Sequence, residues 1–190
     1  MKRLWWLRHG PTHEKAFCGW RDVPADLSDR ARLARLRDFL PHAPVVSSDL
    51  SRARQTADAV AASRPRLPDH PDLREFHFGD WDGKTFAEVS ERWPDLSRAY
   101  WEQPGDIAPP GGESWNAAAA RVDGAVSALL THAAPDLILV AHFGVILSRL
   151  PGALGLDAAG VLAQPIDNLS VTCLAYDGAA WRAELINHHP

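Results

Sequence analysis

The sequence predicts an α/β fold, a three-layer α/β/α sandwich with a mostly parallel central sheet. Three short, unbroken apolar runs suit strands that are buried on both faces of a sheet. A polar turn and then a helical pattern follow each run, and this alternation is typical of a parallel sheet. The runs cover residues 4–7, residues 45–46 with their flanks, and residues 137–140.

Three segments carry apolar residues at helical spacing and are expected to cover the sheet. The first helix is predicted over residues 28–40 with Ser28 as its N-cap, the second over about residues 49–62, and the third over about residues 114–132. The side chains expected to face inward are Leu33, Leu36 and Leu40 in the first helix, Ala53, Ala57 and Val60 in the second, and Val122, Val126 and Leu129 in the third.

The C-terminal part of the sequence predicts a β-hairpin. Residues 169–176 and 181–186 are strand-like and are joined through an Asp-Gly turn at 177–178. Residues 104–112 are rich in Pro and Gly and predict a loop, which is a candidate for part of a lid. The length of 190 residues, 46% of them apolar, predicts one domain over residues 1–190.

Composition argues against several classes of partner. The formal net charge of -4 disfavours a nucleic-acid-binding protein, whose affinity would come from clustered Lys and Arg. The N-terminal apolar run ends at Arg8, too early for a signal peptide, and residues 137–141 fall far below the ~20 residues needed to cross a bilayer. Cys18 and Cys173 are too few for a disulfide framework. We therefore expect a cytoplasmic protein without nucleic-acid or membrane partners, and the sequence leaves a homodimer open.

Polar residues follow each buried run, at the carboxyl ends of the strands, where α/β sheets bind ligands. Arg8-His9-Gly10 follows the first run and His142-Phe143-Gly144 follows the third, so two histidines are expected to converge at one edge. An arginine fork suits a phosphate because it makes two parallel charge-assisted hydrogen bonds. A glycine lets the backbone approach a ligand closely.

The start of the second helix, within residues 47–57, is a further candidate for binding an anion. Unpaired backbone N–H groups and the helix dipole favour negative charge at such a place. Arg52 lies in the first turn and can point into the same crevice, whereas Arg54 is expected to face solvent.

These motifs run in order along nearly the whole chain, and together they resemble branch 1 of the histidine phosphatase superfamily, the phosphoglycerate-mutase-like enzymes. They lie at residues 7–12, 48–57, 73–83 and 140–146. The resemblance implies that His9 is a nucleophile that forms a phosphohistidine and that Glu75 is the proton donor. It implies a phosphoryl group surrounded by Arg8, Arg52 and His142, with further substrate or phosphate contacts from Gly10, Thr12, Lys15, Phe143 and Gly144.

The chemistry of these residue types agrees with the implied roles. A neutral imidazole nitrogen can attack phosphorus, provided that the other ring nitrogen is held as a donor by a backbone carbonyl or a similar acceptor. Two guanidinium groups and His142 can stabilise the charge that spreads over the phosphoryl oxygens. Glu75 can protonate the departing alkoxide and afterwards activate water. This mechanism requires neither a metal nor a cofactor.

Two other interpretations compete with this one. Glu113 also lies in a Gly-rich turn before a helix; the resemblance favours Glu75 as the acid and leaves Glu113 a capping role or a role at the substrate entrance. His9 and His13 have the spacing of a zinc-binding helix pair, but the intervening Gly and Pro disfavour a helix there and therefore a metallohydrolase. The tryptophans that are candidates for lining a substrate pocket are Trp81, Trp101 and Trp115.

The short chain favours a phosphatase over a mutase, because mutases of this family carry a longer insertion than residues 83–137 allow. Residues 75–83 resemble the small phosphatases that include the α-ribazole phosphatases, although Asp82 stands where Glu is commoner. We expect a metal-independent phosphomonoesterase acting on a small phosphorylated metabolite, with α-ribazole 5′-phosphate as a candidate. The alternatives are a cofactor-dependent phosphoglycerate mutase and a non-catalytic module that binds a phosphorylated ligand.

Two departures from the family pattern affect substrate choice more than mechanism. Lys15 stands where members often have Asn. Residues 24–31 replace the usual Pro-Leu-Thr-x-x-Gly segment, with one extra residue and with Ala31 in place of Gly.

Overall fold

A five-stranded mixed sheet lies at the centre of the computed structural model, which describes residues 1–190. The strands are β1 (Lys2–Arg8), β2 (Val45–Ser47), β3 (Asp136–Ala141), β4 (Val171–Tyr176) and β5 (Trp181–His188). Their order across the sheet is β2-β3-β1-β4-β5. β3 pairs in parallel with both β1 and β2, β4 is antiparallel to β1, and β5 is antiparallel to β4. Only β4 therefore runs against the others, which confirms the predicted mostly parallel sheet and the C-terminal hairpin.

Helices cover both faces of this sheet. They are α1 (Arg30–Phe39), α2 (Ser51–Ala61), α3 (Phe86–Arg92), α4 (Pro94–Glu102), α5 (Trp115–Leu130), α6 (Phe143–Leu147), α7 (Leu150–Leu154) and α8 (Ala158–Val161). Two short 3-10 turns lie at Pro71–Leu73 and Gly79–Trp81. None of the helices combines the length and the apolar character needed to span a bilayer.

Alternate residues of the strands point into two separate cores, as expected for a three-layer sandwich. On one face Leu4 and Trp6 pack with Leu139 under α5, α6 and α7. On the other face Leu7 and Ile138 pack under α1 and α2. A third, smaller aromatic cluster brings α3 and α4 together around Trp81, Val89 and Tyr100.

The three predicted helices are present, with shorter bounds. All the inward-facing residues that the sequence predicted are buried except Leu129, which is partly buried at the edge of the first core. The N-cap of α1 is Asp29 rather than the predicted Ser28. The Asp29 carboxylate accepts the N–H of Arg32 at 2.9 Å, whereas Ser28 already belongs to a turn in which its N–H bonds to Asp26 at 2.9 Å.

Residues 104–112 form a loop, as predicted, and part of it is fastened to the segment at 77–80. Asp80 N donates to Pro110 O at 2.9 Å, and Glu113 N donates to His77 O at 2.7 Å. A Cβ atom on Gly112 would lie 2.4 Å from His77 O, so the two backbones approach more closely than any other residue would allow.

Candidate active site

Two buried histidines meet at the carboxyl ends of neighbouring strands. His9 directly follows β1 and His142 directly follows β3, and because these strands are parallel the two rings share one edge of the sheet. Their ring centroids are 5.0 Å apart. The convergence that the sequence predicted is thus present in the structure.

The hydrogen bond of His9 determines which ring nitrogen carries the proton. His9 Nδ1 lies 2.7 Å from the carbonyl oxygen of Gly10. Because a carbonyl only accepts, Nδ1 must be the donor, and Nε2 keeps its lone pair. Burial, followed by the charge of Arg52 and that of Arg8, lowers the pKa of His9 to about 3 despite the opposing hydrogen bond to Gly10. The imidazole is therefore neutral at physiological pH.

His142 has the opposite tautomer. Arg52 Nε donates to His142 Nδ1 at 3.2 Å, and since a guanidinium has only donors, the proton of the neutral ring sits on Nε2. Burial, followed by the charge of Arg52, holds the pKa of His142 well below its usual value. The Nε2–H group is buried and has no acceptor within the chain. A buried donor of this kind costs about 1–3 kcal/mol unless a ligand oxygen accepts from it.

Arg52, the second residue of α2, is completely buried and is fixed in the crevice by three backbone carbonyls. It donates at 2.6–3.3 Å to the carbonyl oxygens of Cys18, Gly19 and Arg21. The loop that presents these carbonyls is held in turn by Asp82, whose carboxylate accepts the N–H groups of Gly19 and Arg21 at 3.1 and 2.9 Å. Asp82 thus supports the position of Arg52 from a distant part of the sequence.

The start of α2 already holds an anion from the chain itself. The carboxylate of Asp22 accepts from both the N–H and the hydroxyl of Ser51, each at 2.7 Å. The N–H of Ser51 is therefore engaged within the chain, and the N–H groups of Ala53 and Arg54 donate to Leu50 O at 2.9 and 3.0 Å. Binding of a ligand anion at this helix start stays a prediction. Arg54 is exposed, as predicted, on the opposite face of the helix from Arg52.

Arg8 completes the positive charge of the site. Its Nη1 donates to Ile166 O at 2.6 Å, its Nε is buried without a partner in the chain, and its guanidinium lies 5.4 Å from the centre of the Phe143 ring. Burial lowers its pKa, but from so high a starting value that the group stays charged. Asn168 Nδ2 donates to His9 O at 2.8 Å and fastens the backbone of this motif.

Glu75 is buried where the third and fourth motifs, residues 73–83 and 140–146, come together. Its Oε1 accepts from Phe76 N at 3.0 Å and its Oε2 from Gly144 N at 3.2 Å. A Cβ atom on Gly144 would lie 2.7 Å from Oε1. A side chain at position 144 would therefore displace the carboxylate from this position.

An apolar pocket opens beside Glu75. The rings of Phe78, Tyr100, Trp101, Trp115 and Phe143 line it. Trp101 and Trp115 thus lie where the sequence predicted, but Trp81 does not. It is fully buried in the third cluster, because the 3-10 turn that carries it points the indole toward α3 and α4.

Comparisons with known proteins agree with this architecture. A profile of the histidine phosphatase superfamily (branch 1) matches residues 4–189. The chain belongs to branch 1 of the histidine phosphatase superfamily.

Individual relatives of this histidine phosphatase superfamily member differ in length. A bifunctional protein of Mycobacterium tuberculosis is 36% identical over 199 residues, but that match covers 94% of this chain and 52% of the relative, so the chain spans about half the relative's length. The adenosylcobalamin/α-ribazole phosphatase of Salmonella typhimurium is 30% identical over 84% of this chain and 83% of its own. The solved structure of a mycobacterial glucosyl-3-phosphoglycerate phosphatase has a TM-score of 0.84 and 28% identity, with both chains covered completely.

Three residues that the family resemblance added to the site, Thr12, Lys15 and Gly10, differ from the others in their exposure or in their contacts with the chain. Lys15 is exposed and makes no hydrogen bond within the chain, and Thr12 Oγ1 accepts only a long bond of 3.5 Å from Glu14 N. Gly10 N donates to Thr56 Oγ1 at 2.9 Å, and a Cβ atom there would lie 2.7 Å from a methyl carbon of Leu27. Packing against Leu27 and Asp26 therefore favours a glycine at position 10 by itself, and the predicted ligand contact of Gly10 stays a prediction.

The competing acid and the competing metal site are both engaged elsewhere. Glu113 forms a two-bond ion pair with Arg121, each bond 2.8 Å, and is absent from the pocket wall. His13 is exposed and pairs with Asp26 at 2.8 Å. No group of three or more His, Cys, Asp or Glu side chains is arranged to hold a metal ion.

Proposed function

We propose that this superfamily member is a phosphomonoesterase that works through a phosphohistidine at His9. The observation that carries the proposal is the hydrogen bond from His9 Nδ1 to Gly10 O, which places the lone pair of the neutral ring on Nε2. This nitrogen lies among buried guanidinium groups that favour a phosphoryl dianion. The covalent route divides one difficult displacement into two easier ones.

In the first half-reaction His9 Nε2 forms a bond to phosphorus while the bond from phosphorus to the ester oxygen breaks. Protonated Glu75 gives its proton to the departing alkoxide, so the product leaves as a neutral alcohol. Arg8 and Arg52 supply positive charge to the phosphoryl oxygens, and His142 Nε2–H supplies the hydrogen-bond donor that has no acceptor within the chain.

In the second half-reaction a water molecule attacks the phosphohistidine. Glu75, now a carboxylate, takes a proton from that water as the new bond to phosphorus forms. The bond between phosphorus and Nε2 breaks, inorganic phosphate leaves, and both His9 and Glu75 return to their starting protonation states.

The pocket beside Glu75 supports a flat, apolar leaving group. Aromatic rings form most of its wall, and none of its lining residues is basic. A phosphoglycerate carries a carboxylate that would need a cation, so the pocket favours hydrolysis of an aromatic ester over mutase activity. α-Ribazole 5′-phosphate, which contains an aromatic base, fits this chemistry, and the relationship to the Salmonella enzyme supports it.

The aromatic wall has to open for such a group. The pocket holds about 40 Å³, which is room for a few water molecules and not for an aromatic ring. Trp101 and neighbouring rings must therefore separate when the leaving group binds.

The test is hydrolysis of a panel of phosphomonoesters in the presence of a chelator, with α-ribazole 5′-phosphate, phosphoserine, phosphoglycerates, sugar phosphates and an aryl phosphate. We expect the aromatic esters to have the highest kcat/KM. His9→Ala should abolish turnover, whereas His42→Ala, which alters an exposed histidine, should leave it unchanged. A phosphoenzyme trapped by rapid quenching should be stable to alkali and labile to acid. Full activity of His9→Ala would overturn the proposal.

A further inference from the structure

Arg121, on α5, makes five hydrogen bonds that join the helix to the segment carrying Glu75. Its Nη1 donates to Asp72 O at 2.7 Å and to Arg74 O at 3.0 Å, and its Nη2 donates to Glu75 O at 3.2 Å. The remaining two bonds go to the carboxylate of Glu113. One guanidinium thus fixes three backbone carbonyl groups within residues 72–75, the stretch that carries the Glu75 side chain.

Glu113 fixes the same segment from the other side. Its Oε2 accepts the N–H of His77 at 2.9 Å, and its own N–H donates to His77 O at 2.7 Å. Burial raises the pKa of Glu113, but the hydrogen bonds from Arg121 and from His77 N outweigh it, so the pKa is lowered overall. The carboxylate therefore stays ionised at neutral pH, and the pair with Arg121 persists.

The Glu75 carboxylate depends on this backbone for its position. The only hydrogen bonds of its side chain are those from Phe76 N and Gly144 N, and the segment around it belongs to no long helix or strand. Trp20 Nε1 adds a second bond to Glu75 O at 2.8 Å. A proton donor must lie within hydrogen-bond reach of the leaving oxygen, and a misplacement of about 1 Å can cost about 10²-fold in rate.

We infer that Arg121 and Glu113 are positioning residues for the proton donor Glu75, an inference that rests on the proposed function. Neither side chain lines the pocket. They act by holding residues 72–77 so that the carboxylate faces the ester oxygen. A purely structural role would instead lower activity equally for every substrate.

Leaving-group dependence separates these two roles. A p-nitrophenyl ester leaves readily without a proton, whereas a benzyl ester expels an alkoxide that must be protonated. The parameter to compare is kcat/KM, because it covers only the steps up to formation of the phosphohistidine and release of the alcohol. We expect Arg121→Met to lower kcat/KM at least 10-fold for benzyl phosphate and less than threefold for p-nitrophenyl phosphate.

Three further variants complete the experiment. Glu75→Gln should also lower kcat/KM more for benzyl phosphate than for p-nitrophenyl phosphate, by a larger factor. Adding Arg121→Met to Glu75→Gln should not increase this difference between the two esters. Glu113→Gln, which preserves size and is expected to keep the fold, should show the selectivity more weakly. Arg98→Met, at an exposed arginine of α4, should leave kcat/KM unchanged for both esters.

The outcomes that would overturn the inference differ from those that would overturn the proposed function. Equal losses for both esters in Arg121→Met and in Glu113→Gln, with selectivity retained in Glu75→Gln, would reject the positioning role alone. A Glu75→Gln variant without selectivity would reject the role of Glu75 as the acid, and the positioning role with it.

Discussion

Gly144 N donates a hydrogen bond of 3.2 Å to Glu75 Oε2, and the Cα of the same glycine leaves no room for a side chain beside Oε1. Gly144 lies in the fourth motif and Glu75 in the third, 69 residues apart. The backbone that follows His142 therefore orients the carboxylate as well as the imidazole. One short turn fixes the spacing between a donor to the phosphoryl group and the proposed acid.

Gly144→Ala is expected to displace this carboxylate. The added methyl group would lie 2.7 Å from Oε1, and α6 cannot shift without moving His142. We expect kcat/KM to fall about 10²-fold, with little loss of the folded state because alanine suits a helix. Steady-state kinetics with an alkyl phosphate measure the fall in kcat/KM, and thermal unfolding measures the change in stability.

The matched control is Gly124→Ala, at a helical glycine whose Cβ would meet nothing within 4 Å. This change should leave kinetics unaltered and raise stability by about 0.4–1 kcal/mol. Wild-type kinetics in Gly144→Ala would show that the carboxylate does not depend on this contact.

Asp82 supplies a second long-range support, for Arg52. Removing its carboxylate in Asp82→Ala frees the N–H groups of Gly19 and Arg21 and loosens the carbonyls that hold the guanidinium. We expect KM to rise severalfold for all phosphate esters alike, because phosphoryl binding is weakened and the leaving group is untouched. The exposed neighbour Asp80, changed to alanine, provides the control. A KM that rises for one class of ester only would contradict this account.

Local sequence pattern predicted the strands, the three longest helices (α1, α2 and α5) and the convergence of His9, Arg52 and His142, because periodicity and strand ends are properties of neighbouring residues. It did not predict the five shorter helices. It did not predict the ion pair of Glu113 with Arg121, which depends on how α5 docks against the Glu75 segment. It also missed Asp22 at the start of α2, since a cap from 29 residues away leaves no local signal. Trp81 failed as a pocket residue because an aromatic pattern does not reveal which way a short turn faces.

Trp101 is expected to govern affinity for the leaving group. It lines the pocket on one side and stacks on Phe17 and Phe86, with centroids 6.2 and 5.7 Å apart. Trp101→Ala removes an aromatic contact with the substrate, so we expect KM for an aryl phosphate to rise about 10-fold, or about 1.4 kcal/mol. Inhibition by inorganic phosphate should not change.

Phe86→Ala serves as the control for Trp101, because Phe86 is exposed and does not line the pocket. Its KM should remain within about twofold of the wild type. An equal rise in both variants would assign the effect to the aromatic cluster as a whole rather than to contact with substrate.

The two buried histidines give the fold an acid sensitivity of defined sign. Burial lowers the pKa of His9 to about 3 and holds that of His142 well below 6.5, whereas in the unfolded chain each histidine titrates at about 6.5. Between about pH 6.5 and pH 3 the unfolded state therefore binds more protons than the folded state. The free energy of unfolding should fall as the pH is lowered through this window, by up to about 1.4 kcal/mol per pH unit for each histidine.

Urea unfolding at a series of pH values measures this effect. The free energy of unfolding should depend less steeply on pH in His9→Asn than in the wild type, and as steeply as in the wild type in His42→Asn, whose ring is exposed. If the pH dependence of His9→Asn equals that of the wild type, His9 is not held neutral by the fold.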